Sequence, residues 1–339
     1  MRTDAIVIGG GLYGCKIALA LRAVGVKKVV LIERNSRILR GASGVNQSRI
    51  HRGYHYPRSL ETSRAMNEVY TRFLIDHFYA VQPSKQVYAI AAQGSKTSPE
   101  QFEKFCEKAG LPLTTTHTGL FAPGKVATEY LVEEATLNSD LLAEALFDQL
   151  KIAGVELMLG VEASLGPGVS VKTSRGDHIT ASYIFDVTYS NLVNISHPTT
   201  PITLGHCEII LIPEPKMLKG QAVLVLDGPF WSCAPYPTAE CWQITHVTKM
   251  LHQAQYAGDG SHAKEILAGV DAYIPGLGRP GWRLSIYTTR ALLDDPATDS
   301  RPALWEYSQE TPRIISVLGG KLSGIYDIED MVRKGEWAI

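Results

Sequence analysis

Apolar and polar positions fall into blocks that change period along the chain. An unbroken apolar run, Ala5–Ile8, enters a glycine-rich turn; a helical pattern follows, then a second apolar run over 29–32 that ends in Glu33. Uninterrupted runs of this length suit strands buried on both faces. The polar stretch 34–58, dense in Gly, Ser, Asn, Arg and His, breaks the pattern. A loop of this length without structure of its own is usually functional or disordered, and its Tyr and His content argues against disorder. Met66, Val69, Phe73 and Leu74 then recur at helical spacing and predict a helix over 59–79. Alternation predicts a strand over 85–92. A short helix over 99–109 is closed by Gly110 and Pro112. Leu141, Leu142, Ala145, Leu146 and Leu150 share one face of a helix over 139–153, and a strand follows Gly154 over 155–159.

From 169 the period becomes two. A hairpin turns at Arg175-Gly176-Asp177 and ends in a strand over 183–187. Residues 203–248 are rich in strands and punctuated by Pro213, Pro215, Pro235 and Pro237. A helix begins near 261, a strand spans 283–289, and the tail reads as a strand over 314–318, the pair Gly319-Gly320 and a helix over 321–334. A strand–helix–strand unit therefore opens the chain and a strand–Gly-Gly–helix unit closes it, with an antiparallel-looking block between. Both ends are expected to join one nucleotide-binding sheet, with the middle as a cover.

At 339 residues the chain suits two domains, or one with a large insertion. A net charge of −1 implies no general affinity for nucleic acid. Five cysteines without a C-x-x-C pair point to free thiols in a reducing compartment. No apolar stretch approaches the roughly 20 residues of a membrane span, and the first apolar run is too short for a signal peptide. The expectation is a cytoplasmic protein without an integral membrane segment. The oligomeric state is left open. Scattered histidines without H-E-x-x-H predict no metal site. The absence of G-x-x-x-x-G-K-[ST] and G-x-S-x-G argues against phosphoryl transfer and serine hydrolysis.

Gly9, Gly11 and Gly14 give the spacing G-x-G-x-x-G directly after the first strand. The first glycine permits the tight turn, the second lets the backbone approach a pyrophosphate, and the third lets the helix lie close on the strand. The helix N-terminus offers N–H groups to the phosphates, and Glu33 can accept hydrogen bonds from ribose hydroxyls. Glycines and acid alone do not separate NAD from FAD. The second strand, however, leads at once into the polar loop, and the next clear strand–helix unit lies at the far end. That layout fits a discontinuous FAD domain.

Three segments carry a resemblance: the fingerprint, the loop GASGVNQSRIHRGYHYPRS (41–59) and the tail SVLGGKLSGIYDIEDMV (316–332). Together they resemble the D-amino-acid-oxidase superfamily of FAD-dependent oxidoreductases. Asn46, Ile50, His51, Gly53 and Tyr56 are similar to the flavin loop of L-2-hydroxyglutarate oxidase and glycerol-3-phosphate dehydrogenase. Ser300-Arg301 followed by Gly319-Gly320-Lys321 is similar to the tail of the latter. The resemblance implies an α/β fold with a Rossmann-like, glutathione-reductase-type FAD domain of discontinuous chain (1–84, 136–200 and 288–339). An antiparallel-β substrate domain with helices would take 85–135 and 201–287.

It further implies FAD contacts from Gly9, Gly11, Leu12, Tyr13, Gly14, Glu33 and Arg34, from Ala42, Ser43, Asn46, Gln47, Ser48 and Arg49, and from Gly319, Gly320, Lys321, Leu322 and Ser323. Ser43 and Ser48 are candidate hydroxyl donors. A helix starting at Lys321 would turn its positive end, and the lysine, toward the charge of a reduced flavin. His51 is the candidate base for an alcohol proton, a flavin hydrogen-bond partner, or a covalent attachment point. His55 and His246 are alternative bases. Arginine matches carboxylates bidentately, and of Arg49, Arg52, Arg283, Arg290 and Arg301, Arg52 and Arg301 are the first choices as substrate clamps. Aromatic walls would come from Tyr54, Tyr56, Phe230, Trp231, Tyr236 and Tyr287. The expected reaction moves a hydride from a C–H of a small, polar, anionic substrate of the secondary-alcohol or 2-hydroxy-acid type to flavin N5. Oxygen or another acceptor would then reoxidise the flavin. Amine or amino-acid oxidation, as in glycine or D-amino-acid oxidase, is the alternative, and a catalytically idle flavin-binding or assembly protein is another.

Overall fold

The computed structural model describes residues 1–228, 230–252, 260–293, 303–322 and 324–338. Two large sheets organise it. The first has six strands in the spatial order 304–307, 314–318, 183–186, 5–8, 29–33 and 156–159. Neighbours from Ile314–Leu318 across to Glu156–Leu159 run parallel, and Leu304–Tyr307 closes one edge antiparallel. Every residue of Ala5–Ile8 and Val29–Glu33 is buried, as central parallel strands covered on both faces require. Burying one such Val or Ile side chain contributes about 1.5–3 kcal/mol, so the alternation-free runs anchor the sheet. Helices Leu12–Ala23, Ser139–Ile152 and Gly324–Arg333 share one apolar cluster on a single face of this sheet. The tail helix packs on the first helix, where Lys16 Nζ lies 3.4 Å from the Glu329 carboxylate.

The second sheet has nine strands. The long strand Ile202–Ile212 pairs along its length with Leu284–Leu293, and the order continues through 241–246, 231–236, 222–226, 86–91, 126–132 and 113–116. It is antiparallel as expected except at one junction, where Ala222–Leu226 runs parallel to Gln86–Ala91.

Several elements differ from the sequence reading. The predicted helix 59–79 is Leu60–Asp76 followed by a short 3-10 turn, Phe78–Ala80, because the chain leaves helical geometry at His77 (φ −130°). The tail helix begins at Gly324, three residues later than predicted. The polar loop contributes a two-residue strand, Arg49–Ile50, paired with Ala135–Leu137. Strand Leu284–Leu293 belongs wholly to the second sheet, so a division between 287 and 288 would cut it. We propose that the cover keeps residues to 293. All five cysteines are buried and none forms a disulfide, and among the described residues no helix is long and apolar enough to cross a membrane.

Candidate active site

A cleft of about 1170 Å3 runs between the carboxyl ends of the parallel strands and the second sheet. That is above the usual 300–1,000 Å3 of a small-molecule site and leaves room for an extended dinucleotide beside a substrate. At its nucleotide end Gly9 sits at φ +107°, a conformation that favours glycine. A Cβ on Gly14 would lie 1.9 Å from the Gly9 carbonyl oxygen, so the close helix–strand approach is physically enforced. The helix Leu12–Ala23 starts at Gly11 with no side-chain cap and no acidic residue in its first turn, which suits an anion at its N-terminus. Ser43 Oγ accepts from the Leu12 N–H at 3.0 Å, tying the early loop to this corner. Glu33 reaches the cleft with Oε2 accepting from Gly10 N–H at 2.7 Å and Oε1 from Asn35 N–H at 2.8 Å. These residues fit FAD: a glycine cradle, an uncapped helix end and a carboxylate at the strand terminus.

Most of the expected cofactor residues line the cleft: Gly9, Gly11, Leu12, Tyr13, Glu33, Arg34, Ala42, Ser43, Asn46, Gln47, Arg49, Gly319, Gly320, Lys321 and Leu322. Gly14 acts behind it through packing. Ser48 is buried at φ +48° and does not line the cleft, because its backbone N–H is turned onto Asn46 Oδ1 at 2.7 Å. Ser323 and Arg301 lie outside the described residues. Lys321 lines the cleft, but its Nζ sits 4.8 Å from the centre of the Tyr56 ring and its carbonyl accepts from the Tyr13 hydroxyl at 2.5 Å. The tail helix therefore starts beyond this bend, at Gly324, whose added Cβ would lie 2.5 Å from the Tyr13 hydroxyl oxygen.

The opposite end is built from buried charge. Glu134, in the turn between Val126–Val132 and Ala135–Leu137, is almost wholly buried. Its Oε2 accepts from the Tyr88 hydroxyl at 2.6 Å and lies 3.9 Å from Arg49 Nε; its Oε1 accepts from Arg52 N–H at 2.8 Å and lies 3.6 Å from His51 Nδ1. Burial opposes its ionisation, but His51, Arg49 and the Tyr88 hydroxyl outweigh that and hold the carboxyl below its ordinary range. Burial beside the same carboxylate pushes the Tyr88 phenol well up, so it stays a donor. Arg49 is itself buried, stacks 5.5 Å from the centre of the Tyr88 ring and lines the cleft. Among the described residues its Nη2 makes no hydrogen bond. His51 lines the cleft with its ring 5.0 Å from that of His55, which in turn lies 5.1 Å from Phe230.

Other expectations are redistributed. Arg52 does not line the cleft: its guanidinium pairs with Glu133, donates to Asn67 Oδ1 at 2.9 Å and covers the Tyr70 ring. Arg283 is exposed, whereas Arg290 lines the cleft with Nη2 3.9 Å from Met250 Sδ. His246 is buried beside the cleft wall and does not line it; burial, then Lys249, lowers its pKa to about 4. Tyr56, Phe230, Trp231 and Tyr287 line the cleft, while Tyr54 and Tyr236 do not. Sequence reasoning missed Glu134, Tyr88 and the turn 187–191. The last had a signal, since ligands bind beyond the carboxyl ends of parallel strands and this turn follows the central strand Tyr183–Asp186. Glu134 had none, because Glu133-Glu134 reads as a solvated acidic pair.

Comparison with known proteins agrees with this architecture. FAD-dependent monooxygenase kojA of Aspergillus flavus is 27% identical over 245 residues, covering 66% of this chain; the chain spans only 56% of that relative's length. Glycine oxidase from Geobacillus kaustophilus superposes with a TM-score of 0.73 at 16% identity, covering 98% of this chain and 93% of its own. L-α-glycerophosphate oxidase from Mycoplasma pneumoniae, solved with FAD bound, superposes with a TM-score of 0.75 at 13% identity, covering 99% and 94%. At such identities the two structures establish the fold alone. The FAD dependent oxidoreductase (DAO) family matches residues 4–325, and with the glycine cradle, the strand order and the two-sheet cleft in place, the chain belongs to that family.

Proposed function

We propose that this enzyme oxidises a small anionic substrate at a carbon bearing a hydroxyl, of the secondary-alcohol or 2-hydroxy-acid type, with His51 taking the hydroxyl proton. The observation that carries this reading is the buried, ionised Glu134 behind His51 Nδ1, with the imidazole itself lining the cleft. FAD bound along the glycine cradle would supply the acceptor for the electron pair of the C–H bond. With its Oε1 3.6 Å from Nδ1, Glu134 favours the tautomer that carries the proton on Nδ1 and leaves Nε2 as the basic nitrogen. It also stabilises the imidazolium that forms when the proton arrives at Nε2. Arg49, rigid in its buried pocket, offers Nη2 to the substrate anion, and Arg290 adds positive charge from the cover. Trp231 and Phe230 form an apolar wall that limits water.

The test is anaerobic mixing of the yellow protein with 2-hydroxy acids, polyol phosphates, glycine and D-amino acids, following loss of the flavin absorbance. Hydroxy substrates should bleach the wild type, and His51→Ala should slow that step by about 10²–10⁴-fold, as removal of a general base does. Bleaching by amino acids alone, undiminished in His51→Ala, would replace this reading with amine oxidation, since a neutral amine has its lone pair available. Acid precipitation of the same preparations tells free from attached flavin. Repeating the turnover in air tells oxygen from another acceptor.

A further inference from the structure

We propose that Glu208, His252 and His262 form a binding site for a divalent cation of the zinc class on the second sheet, separate from the cleft. The three residues come from three elements. Glu208 lies on the long strand Ile202–Ile212, His252 on the two-residue edge strand Leu251–His252, and His262 at the N-cap position of the helix Ala263–Asp271. One ligand atom of each lies within 4.8 Å of those of the other two. His252 Nε2 is 3.0 Å from Glu208 Oε2, and the two imidazoles stack with centroids 4.0 Å apart at 10°. A zinc ion with ligands at about 2.0–2.2 Å spaces them roughly 3.4 Å apart, close to the Glu208–His252 separation, and one of the near-parallel imidazoles must turn for both rings to reach it.

The surrounding hydrogen bonds have the pattern that metal ligands require. His262 Nδ1 lies 3.0 Å from the Lys249 carbonyl oxygen. A carbonyl only accepts, so Nδ1 carries the proton, the tautomer in which Nε2 is the coordinating nitrogen. Donation of the second ring N–H to a backbone carbonyl is how ligating histidines are fixed in orientation and tautomer. Glu208 is fully buried, and its carboxylate is oriented by the Ser261 and Ser285 hydroxyls and by the His262 backbone N–H at 2.7 Å. Two imidazoles and one carboxylate favour zinc over magnesium or calcium, which take oxygen ligands. None of the three lines the cleft; the His252 ring instead packs 5.7 Å from Tyr287, which does. A bound ion would thus join the edge strand and the helix start to the strand behind the cleft wall. The histidines are ten positions apart and the glutamate is distant in sequence, so no local spacing announces the site and the sequence predicted none.

The test is calorimetric titration of chelator-treated, FAD-loaded protein with zinc chloride. The expected result is one equivalent per chain, with affinity at least about 10-fold weaker in His252→Gln and His262→Gln and unchanged in His117→Gln, a surface histidine remote from the site. Zinc should raise the melting temperature of the wild type and not of His262→Gln. Absence of saturable binding, or equal binding by both site variants, overturns the proposal. If the variants do not fold, anomalous scattering from a zinc-soaked wild-type crystal decides. A peak among Glu208, His252 and His262 supports the site, and a peak elsewhere or none overturns it.

Discussion

The two ends of the cleft recognise their occupants by different means. At the nucleotide end the contacts are backbone and shape: a left-handed glycine at Gly9, a helix packed so tightly that Gly14 has no space for a Cβ, and an uncapped helix N-terminus. At the other end the structure is built from side chains and charge: Arg49, Glu134 and Tyr88 interlocked out of water, with His51 between them and the cleft. The first arrangement cannot be tuned and fails when one carbon is added. The second fails in steps, because each removed group leaves a buried partner exposed to its own desolvation cost.

The sharpest break is Gly14→Val. Its side chain would drive the helix off the strand, and we expect a colourless protein that retains no flavin and loses several kcal/mol of stability, read by absorbance and chemical denaturation. A yellow Gly14→Val protein would show that the cradle is less rigid than its contacts indicate. Next is Glu134→Gln, which leaves the Arg49 guanidinium buried without its counter-charge. It should cost about 3–5 kcal/mol in urea denaturation while keeping the flavin colour, separating the two ends. Loss of flavin together with stability would mean that they are one unit.

The smallest effect is a titration that both sheets share. Burial, then a neighbouring lysine, lowers the pKa of His77 under the first sheet and of His246 in the second to about 4. In the unfolded chain each binds its proton near pH 6.5. Between about pH 6.5 and 4 the unfolded state therefore holds more protons, so stability falls with pH through that window and the loss levels off below 4. His77→Gln and His246→Gln should each shrink the difference in unfolding free energy between pH 7 and pH 4 by about 1–3 kcal/mol. An unchanged pH slope in either variant would show that its ring is already solvated.

Much of the nucleotide half was legible because its determinants are local. Ala5–Ile8, the glycine spacing and Glu33 lie within one short stretch and dictate strand, turn and ligand end together. The central position of Tyr183–Asp186 was not legible, since a strand's neighbours depend on pairing across the whole chain. The substrate end was half legible. His51 and Arg49 stand in a recognisable loop, whereas Glu134, which lies against both, is distinguished from a surface acid only by burial. The sequence puts Arg52 ahead of Arg49 as a substrate clamp, but successive residues of a two-strand ladder point to opposite sides, and the extended chain after Arg49–Ile50 turns Arg52 toward Glu133.

The hydrogen bond from the Tyr13 hydroxyl to the Lys321 carbonyl joins positions 308 residues apart, directly beside the glycine fingerprint. During synthesis the fingerprint emerges well before its sheet neighbour Tyr183–Asp186, and Ile314–Leu318 emerges later still. The flavin-binding corner is thus completed only after Ile314–Leu318 is made, and until then the nascent chain carries an unfinished parallel sheet with exposed strand edges. Supply of flavin therefore matters most once Ile314–Leu318 has emerged, when cofactor capture competes with aggregation for the same unpaired edges.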